Sequence, residues 1–181
     1  MFLIDNISKL TSSNNITNYL NNNNNAITDK TVSNYIDYLC DAFVFYKVNR
    51  FDLRDKKYLS TEYKYYLCDP TIKYAKLGTK NIDYGRTYKN IVAIELLRRG
   101  YKIYVGKLYK KEIDFVAMKR DEQLYIQVSR NIDDVSTFKR EVDPLLAIKD
   151  AFPKIIITRT KQETQLYEGI KIIDIARWLF N

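Results

Sequence analysis

The sequence predicts a chain of the α+β class: a small helical unit closed by a hairpin, then a mixed α/β sheet flanked by helices. Three observations lead there. Apolar residues make up 46% of the 181-residue chain and charged residues 29%, a balance that supports a packed core. The first third carries helical periodicity followed by two aromatic, β-branched runs. The second half alternates helices with short apolar strands, so its strands must be covered by helices. The expected units are residues 1–78 and 86–181, with a boundary in the polar, turn-like stretch "TKNIDYG".

The elements follow in order. Residues 2–10 read as a short helix, and Thr11 or Ser12 starts a second over roughly 12–22 with Ile16, Tyr19 and Leu20. The run Asn21–Asn25 breaks that pattern, because asparagine is a poor helix former and accepts left-handed turns. Thr28 or Asp29 then caps a helix whose Val32, Ile36, Leu39 and Phe43 recur on one side. "FVFYKVNRF" and "KKYLSTEYKYYLCD", joined by the polar "DLRDK", form a hairpin. Pro70 opens a short helix that Gly78 ends.

"RTYKNIVAIELLRRG" is a helix stopped by Gly100. Strands "YKIYVGKLY", "EIDFVAMK" and "LYIQVSR" follow, then helix "DVSTFKREVDPLLAIKDAF", strand "KIIITRT", a loop, strand "GIKIID" and a last helix "ARWLF". No glycine stands in a phosphate-loop context.

Composition narrows the chemistry. There is no histidine, which excludes Ser-His-Asp triads and histidine-ligated metals. Catalysis would have to use carboxylates, Lys, Tyr or Ser, with Mg²⁺ as the natural cofactor for oxygen ligands. Cys40 and Cys68 stand apart, without a CxxC pair, and read as reduced thiols. No apolar run approaches the ~20 residues that cross a bilayer. No basic region leads into a long apolar stretch at the N-terminus, so no signal peptide and a cytoplasmic location are expected. The formal charge of +8 and a pI of about 9.3 favour a polyanionic partner, most simply DNA.

Three helices and a hairpin with a charged tip stand in winged-helix order, with residues 30–43 as the recognition helix and 50–57 as the wing. The nucleic-acid contacts would be Lys30, Ser33 and Asn34 on the helix, and Arg50, Arg54, Lys56 and Lys57 on the wing. Asp37 and Asp41 on the helix and Asp52 and Asp55 on the wing oppose a phosphate backbone. The alternative is a winged helix used to dock a protein. The 16 tyrosines offer stacking platforms for single strands or, alternatively, core packing.

The second half, with an Asp strand followed by a strand carrying Glu/Gln-x-Lys, resembles the PD-(D/E)XK nuclease fold. In that family the carboxylates hold Mg²⁺, which activates water. Asp114 in "EIDF" takes the Asp position, as catalytic residue and metal ligand, and Gln127 the Glu/Gln position. Ser129 stands where the lysine belongs, and in "TYKN" Lys89 stands where the helix acid belongs. Glu95, on the helix face of Tyr88, Ile91 and Val92, is either a migrated metal ligand or the partner of Arg99. Glu112 points the same way as Asp114 and reads as an exposed hairpin acid. Arg130 follows the strand as a further phosphate contact.

Taken together, "KTVSNYIDYLCDAFVFYKVNRFDLRDKKYL", "IVAIELLRRGYKIYVGKL", "EIDFVA", "YIQVS", "REVDPLLAIKDAFPKIIIT" and "GIKIIDI" resemble the C-terminal portion of prokaryotic AAA-type ATPases. There a winged helix and a PD-(D/E)XK-like domain of unknown function follow the ATPase core. The resemblance implies an ATPase core as partner, in cis or in trans. Three functions result: a nucleic-acid-binding module with a decayed nuclease fold, a docking appendage for the ATPase core, or a Mg²⁺-dependent DNA endonuclease using Asp114, Gln127 and Glu95. The two losses at Lys89 and Ser129 favour the first.

Overall fold

Side-chain caps start four of the helices. Ser12 accepts the Asn15 N–H before the helix that begins at Ser13, and Thr28 the Thr31 N–H before that at Asp29; Asp83 and Asp134 do the same before the helices that begin at Tyr84 and Val135. A computed structural model describes residues 1–23, 26–78 and 82–180. Its elements are α1 (Phe2–Asp5), α2 (Ser13–Asn22), α3 (Asp29–Asp41), β1 (Phe45–Asp52), β2 (Lys57–Leu67), α4 (Thr71–Leu77) and α5 (Tyr84–Arg98). Then come β3 (Lys102–Leu108), β4 (Lys111–Lys119), β5 (Glu122–Val128), α6 (Val135–Leu146), β6 (Lys154–Thr158), β7 (Gln165–Tyr167), β8 (Ile170–Asp174) and α7 (Ile175–Phe180).

The strands form one mixed eight-stranded sheet in the order β2-β1-β3-β4-β5-β6-β8-β7, flanked by helices, so the α+β class holds. The hairpin β1–β2 belongs to that sheet. β1 runs parallel to β3, with Arg50 opposite Val105, Phe51 opposite Gly106 and Asp52 opposite Lys107. Gly106 has no alternative here: a Cβ would come within 2.8 Å of Ile113 and Val116. A buried helix side chain strengthens the join. Asn90 of α5 both donates to and accepts from the Leu67 backbone of β2, at 2.9 and 2.8 Å.

Three apolar clusters follow from this layout. α5 and α7 cover one sheet face through Val92, Ala93, Leu96 and Trp178, and α6 covers the other through Val142 and Leu145. The third cluster joins Ile16, Val32 and Ile36 of α2 and α3 to Phe45, Tyr65 and Leu67 of the hairpin.

Several expected elements change. The first helix stops at Asp5 instead of running to residue 10. Ile7 is fully buried, Ser8 adopts φ 61°, and the segment pairs with β2 through Ser8 and Thr11. α2 continues through Asn21 and Asn22, while Asn24 and Asn25 lie outside the described residues. On α3, Val32 and Ile36 are buried but Leu39 is exposed, and Phe43 is exposed because the helix ends at Asp41 and Phe43 turns to φ 55°. α6 ends at Leu146, soon after Pro144, rather than near residue 152. The expected loop before the last strand contains β7, which hairpins onto β8.

Candidate functional site

Asp114 lies at a defect in the sheet. Tyr104 faces Val116 and Gly106 faces Ile113, so one β3 residue, Val105, opposes two on β4, Asp114 and Phe115. Such a bulge re-aims side chains and bends the strand. On the other side of β4, the ladder to β5 runs from Lys119–Glu122 only as far as Phe115–Ile126.

Beyond that point the two strands are bridged by side chains. The Asp114 Oδ2 accepts the Val128 N–H at 2.9 Å. The Gln127 Oε1 accepts the Asp114 N–H at 2.9 Å, and its Nε2 donates to the Glu112 carbonyl at 3.2 Å. Carboxylate and amide thus act as inserted rungs where the backbones have parted. Their groups would otherwise be buried without partners.

The second Asp114 oxygen faces two ammonium groups. Lys89 of α5 places its Nζ 2.5 Å from Oδ1, and Lys64 of β2 lies 3.8 Å from the same atom. Lys64 is itself buried and bonds Glu112 at 2.6 Å. Burial alone would raise the Asp114 carboxyl, which is only 2% exposed. The two lysines and the Val128 N–H outweigh it and hold the group below the usual aspartate range. For Lys89, burial works against the charge, and Asp114 more than restores it, so the ammonium is held above its ordinary value.

From the opposite sheet face α6 brings Glu141, which line of approach the sequence did not indicate. It is buried, takes two bonds from the neighbouring Arg140, and lines the same cavity as Lys89, Asp114 and Gln127. Burial pushes its carboxyl up, Arg140 opposes that, and the Asp114 charge adds to the rise.

Glu95 does not join this cluster, which corrects the expectation that it could serve there. Its carboxylate is held by Arg98 at 2.6 and 2.7 Å and by Arg99 at 2.6 Å. Arg99 in turn lies over the Trp178 ring and donates to its carbonyl. The Arg98 bond, then Arg99, lower the Glu95 pKa to about 2.

The donor set does not fit Mg²⁺. One Asp114 oxygen is held by Lys89 and the other by a backbone N–H, and both Gln127 amide atoms serve the strands. Among the described residues no group of three or more His, Cys, Asp or Glu could hold a metal ion. Ser129 is buried and donates to the Asn131 carbonyl at 2.8 Å, shaping the loop after β5.

Above this fork of β4 and β5, where Lys89 meets Asp114, opens a cleft of about 600 Å³. Lys9, Lys64, Arg86, Lys89, Arg130 and Arg140 line it, against Asp83, Glu112 and Glu141. Of the expected nucleic-acid contacts, Arg130 is in this cleft. Lys30 and Asn34 are exposed on α3, and Ser33 is half-buried there. Arg50 pairs with Glu62 and Lys57 with Asp55, each at 2.9 Å.

The expected wing tip is tied down. Asp52 accepts the N–H groups of Arg54 and Asp55, Leu53 donates to Lys107, and Arg54 packs over Tyr109. Lys56 is exposed at φ 49°. Arg86 and Arg140 are not legible as cleft residues in the sequence, because the cleft that they line forms only after α5 and α6 converge. The one hint was Glu141 beside the apolar positions of α6.

Residues 1–83 match a family described as a domain of unknown function, DUF8612. The chain is similar to an uncharacterized protein of Haemophilus influenzae, 42% identical over 179 residues, covering 99% of this chain and 44% of that protein. An uncharacterized protein of Methanocaldococcus jannaschii is 29% identical over 140 residues, covering 75% of this chain and 30% of that protein. The chain therefore spans less than half the length of these curated relatives. No solved structure matches it. Among the described residues no helix is long and apolar enough to cross a membrane.

Proposed function

We propose that the chain is a nucleic-acid-binding module, with DNA as partner, built on a nuclease-like sheet that has lost catalysis. The observation that carries this reading is the Lys89 ammonium 2.5 Å from Asp114. It supplies the positive charge that a nuclease of this design takes from Mg²⁺, and a fixed ammonium cannot activate water as a metal does. The basic cleft directly above it offers phosphate contacts without a metal.

A cleavage assay tests this. Supercoiled, linear and branched DNA incubated with the protein and Mg²⁺ or Mn²⁺ should be bound and recovered intact, with the same affinity in a chelator. Metal-dependent cleavage lost in Asp114→Ala would overturn it.

A second reading concerns α3. Tyr35, Tyr38 and Leu39 are exposed on one helix face, with Phe43 following and Asp37 and Asp41 beside them. Apolar and acidic groups suit a protein better than a phosphate backbone. On this reading α3 docks an AAA-type ATPase core, in cis or in trans, in the cytoplasm. A pull-down by a tagged core, lost in Tyr35→Ser with Tyr38→Ser, would support it.

A further inference from the structure

We infer that the pocket beside the cleft receives an unpaired nucleobase, so that the bound strand is single-stranded there; this rests on the nucleic-acid reading above. The pocket has about 400 Å³ and is lined by Tyr84, Tyr88, Arg130, Asn131, Arg159 and Lys161, with Asp133 as its one carboxylate. Small-ligand sites start at roughly that size (~300 Å³). It shares Tyr84, Arg130 and Asn131 with the basic cleft, so one strand could occupy both.

The chemistry is specific to a base with its flanking phosphates. Tyr84 is 42% exposed at the first position of α5, with its ring 6.2 Å from that of Tyr88. The Arg130 guanidinium lies 5.3 Å from the Tyr84 ring centroid. A planar base stacks on either group, and every base has such a face. None of the ion pairs found among the described residues uses Arg130, Arg159 or Lys161. No ion pair therefore competes with a phosphate for them, although the Arg159 charge also acts on Asp174. A backbone bond from Arg159 to the Arg130 carbonyl fixes their spacing, and Ser129 fixes the loop that carries Arg130 and Asn131. The residue that replaced the nuclease lysine thus shapes the base pocket.

The test is fluorescence anisotropy with a labelled, hairpin-free strand, as DNA and as RNA, and with the same DNA strand annealed to its complement. Tyr84→Ala should weaken single-strand binding about tenfold and duplex binding by a clearly smaller factor, since Tyr84 also lines the cleft. Tyr84→Phe should bind as the wild type does. In the wild type, a fluorescent adenine analogue in the strand should be quenched on binding, which reports stacking without any substitution. If Tyr84→Ala leaves single-strand affinity unchanged while Arg140→Gln lowers it, the base pocket is overturned and the basic cleft stands. Equal losses on single strand and duplex also overturn it. If neither form binds, both readings fall.

Discussion

Replacing Lys89 by methionine removes the charge opposite Asp114 while keeping most of the side-chain volume. At an effective dielectric constant of ~20, unit charges 2.5 Å apart attract by roughly 6–7 kcal/mol, and 3.8 Å apart by roughly 4 kcal/mol. The variant loses the first attraction and keeps the second, from Lys64. It also recovers the cost of desolvating the Lys89 ammonium, several kcal/mol. The balance is a loss of about 3 kcal/mol, the lower end of what breaking a buried pair costs. For a chain of this size that lowers Tm by roughly 6–12 °C.

The pH dependence has a definite sign. Wild-type Asp114 is depressed below its unfolded value, so its contribution is present above that value and lost as pH falls through the folded one. In Lys89→Met, burial dominates and the Asp114 pKa rises. The gap between variant and wild type should therefore narrow as pH falls through the carboxylate range. Thermal unfolding followed by circular dichroism at several pH values measures both effects. A loss below about 1 kcal/mol, or a gap that widens toward low pH, would refute the account of the fork.

Two further outcomes follow from the same cluster. Gln127→Leu removes both bridging bonds and leaves the buried Asp114 N–H without a partner, which should cost about 2–3 kcal/mol in denaturant unfolding; an unchanged midpoint would sink the inserted-rung description. Glu141→Gln should raise stability at neutral pH. Its carboxyl is raised in the fold, so the folded state holds the proton more tightly than the unfolded chain, and stability gains as pH falls. The advantage of the variant should accordingly shrink as pH falls, and a constant advantage would contradict the assignment.

The sequence made the local parts of this structure legible. Capping residues, the Val32/Ile36 stripe and the strand runs lie in adjacent residues and act locally. The placing of Asp114 and Gln127 on adjacent strands is also legible, from strand alternation and order, but the bond between them is not. What escaped was tertiary. Nothing in "YKYYL" says that Lys64 is buried against Glu112, and nothing in "TYKN" says how far the Lys89 ammonium reaches. Glu112 is the exposed hairpin acid that the sequence predicts, and only its bond to Lys64 goes unannounced. The β1–β3 pairing joins segments separated by β2 and two helices and places the predicted hairpin within the large sheet. Glu95 illustrates the converse: an acid on a buried stripe attracts a functional reading, while the local Arg98 and Arg99 satisfy it.

On the proposed function, nucleic acid meets the Lys89–Asp114 fork with its phosphates and makes no phosphate contact on α3. Binding of labelled DNA across a salt series tests it most directly, with wild type, Arg140→Gln and Lys30→Gln compared. The log of the affinity should fall linearly with the log of salt concentration. Arg140→Gln should reduce that slope by about 0.7–0.9, the loss of one phosphate contact, and Lys30→Gln should leave it unchanged. Absent or salt-insensitive binding, or a slope that changes with Lys30 and not with Arg140, would contradict it.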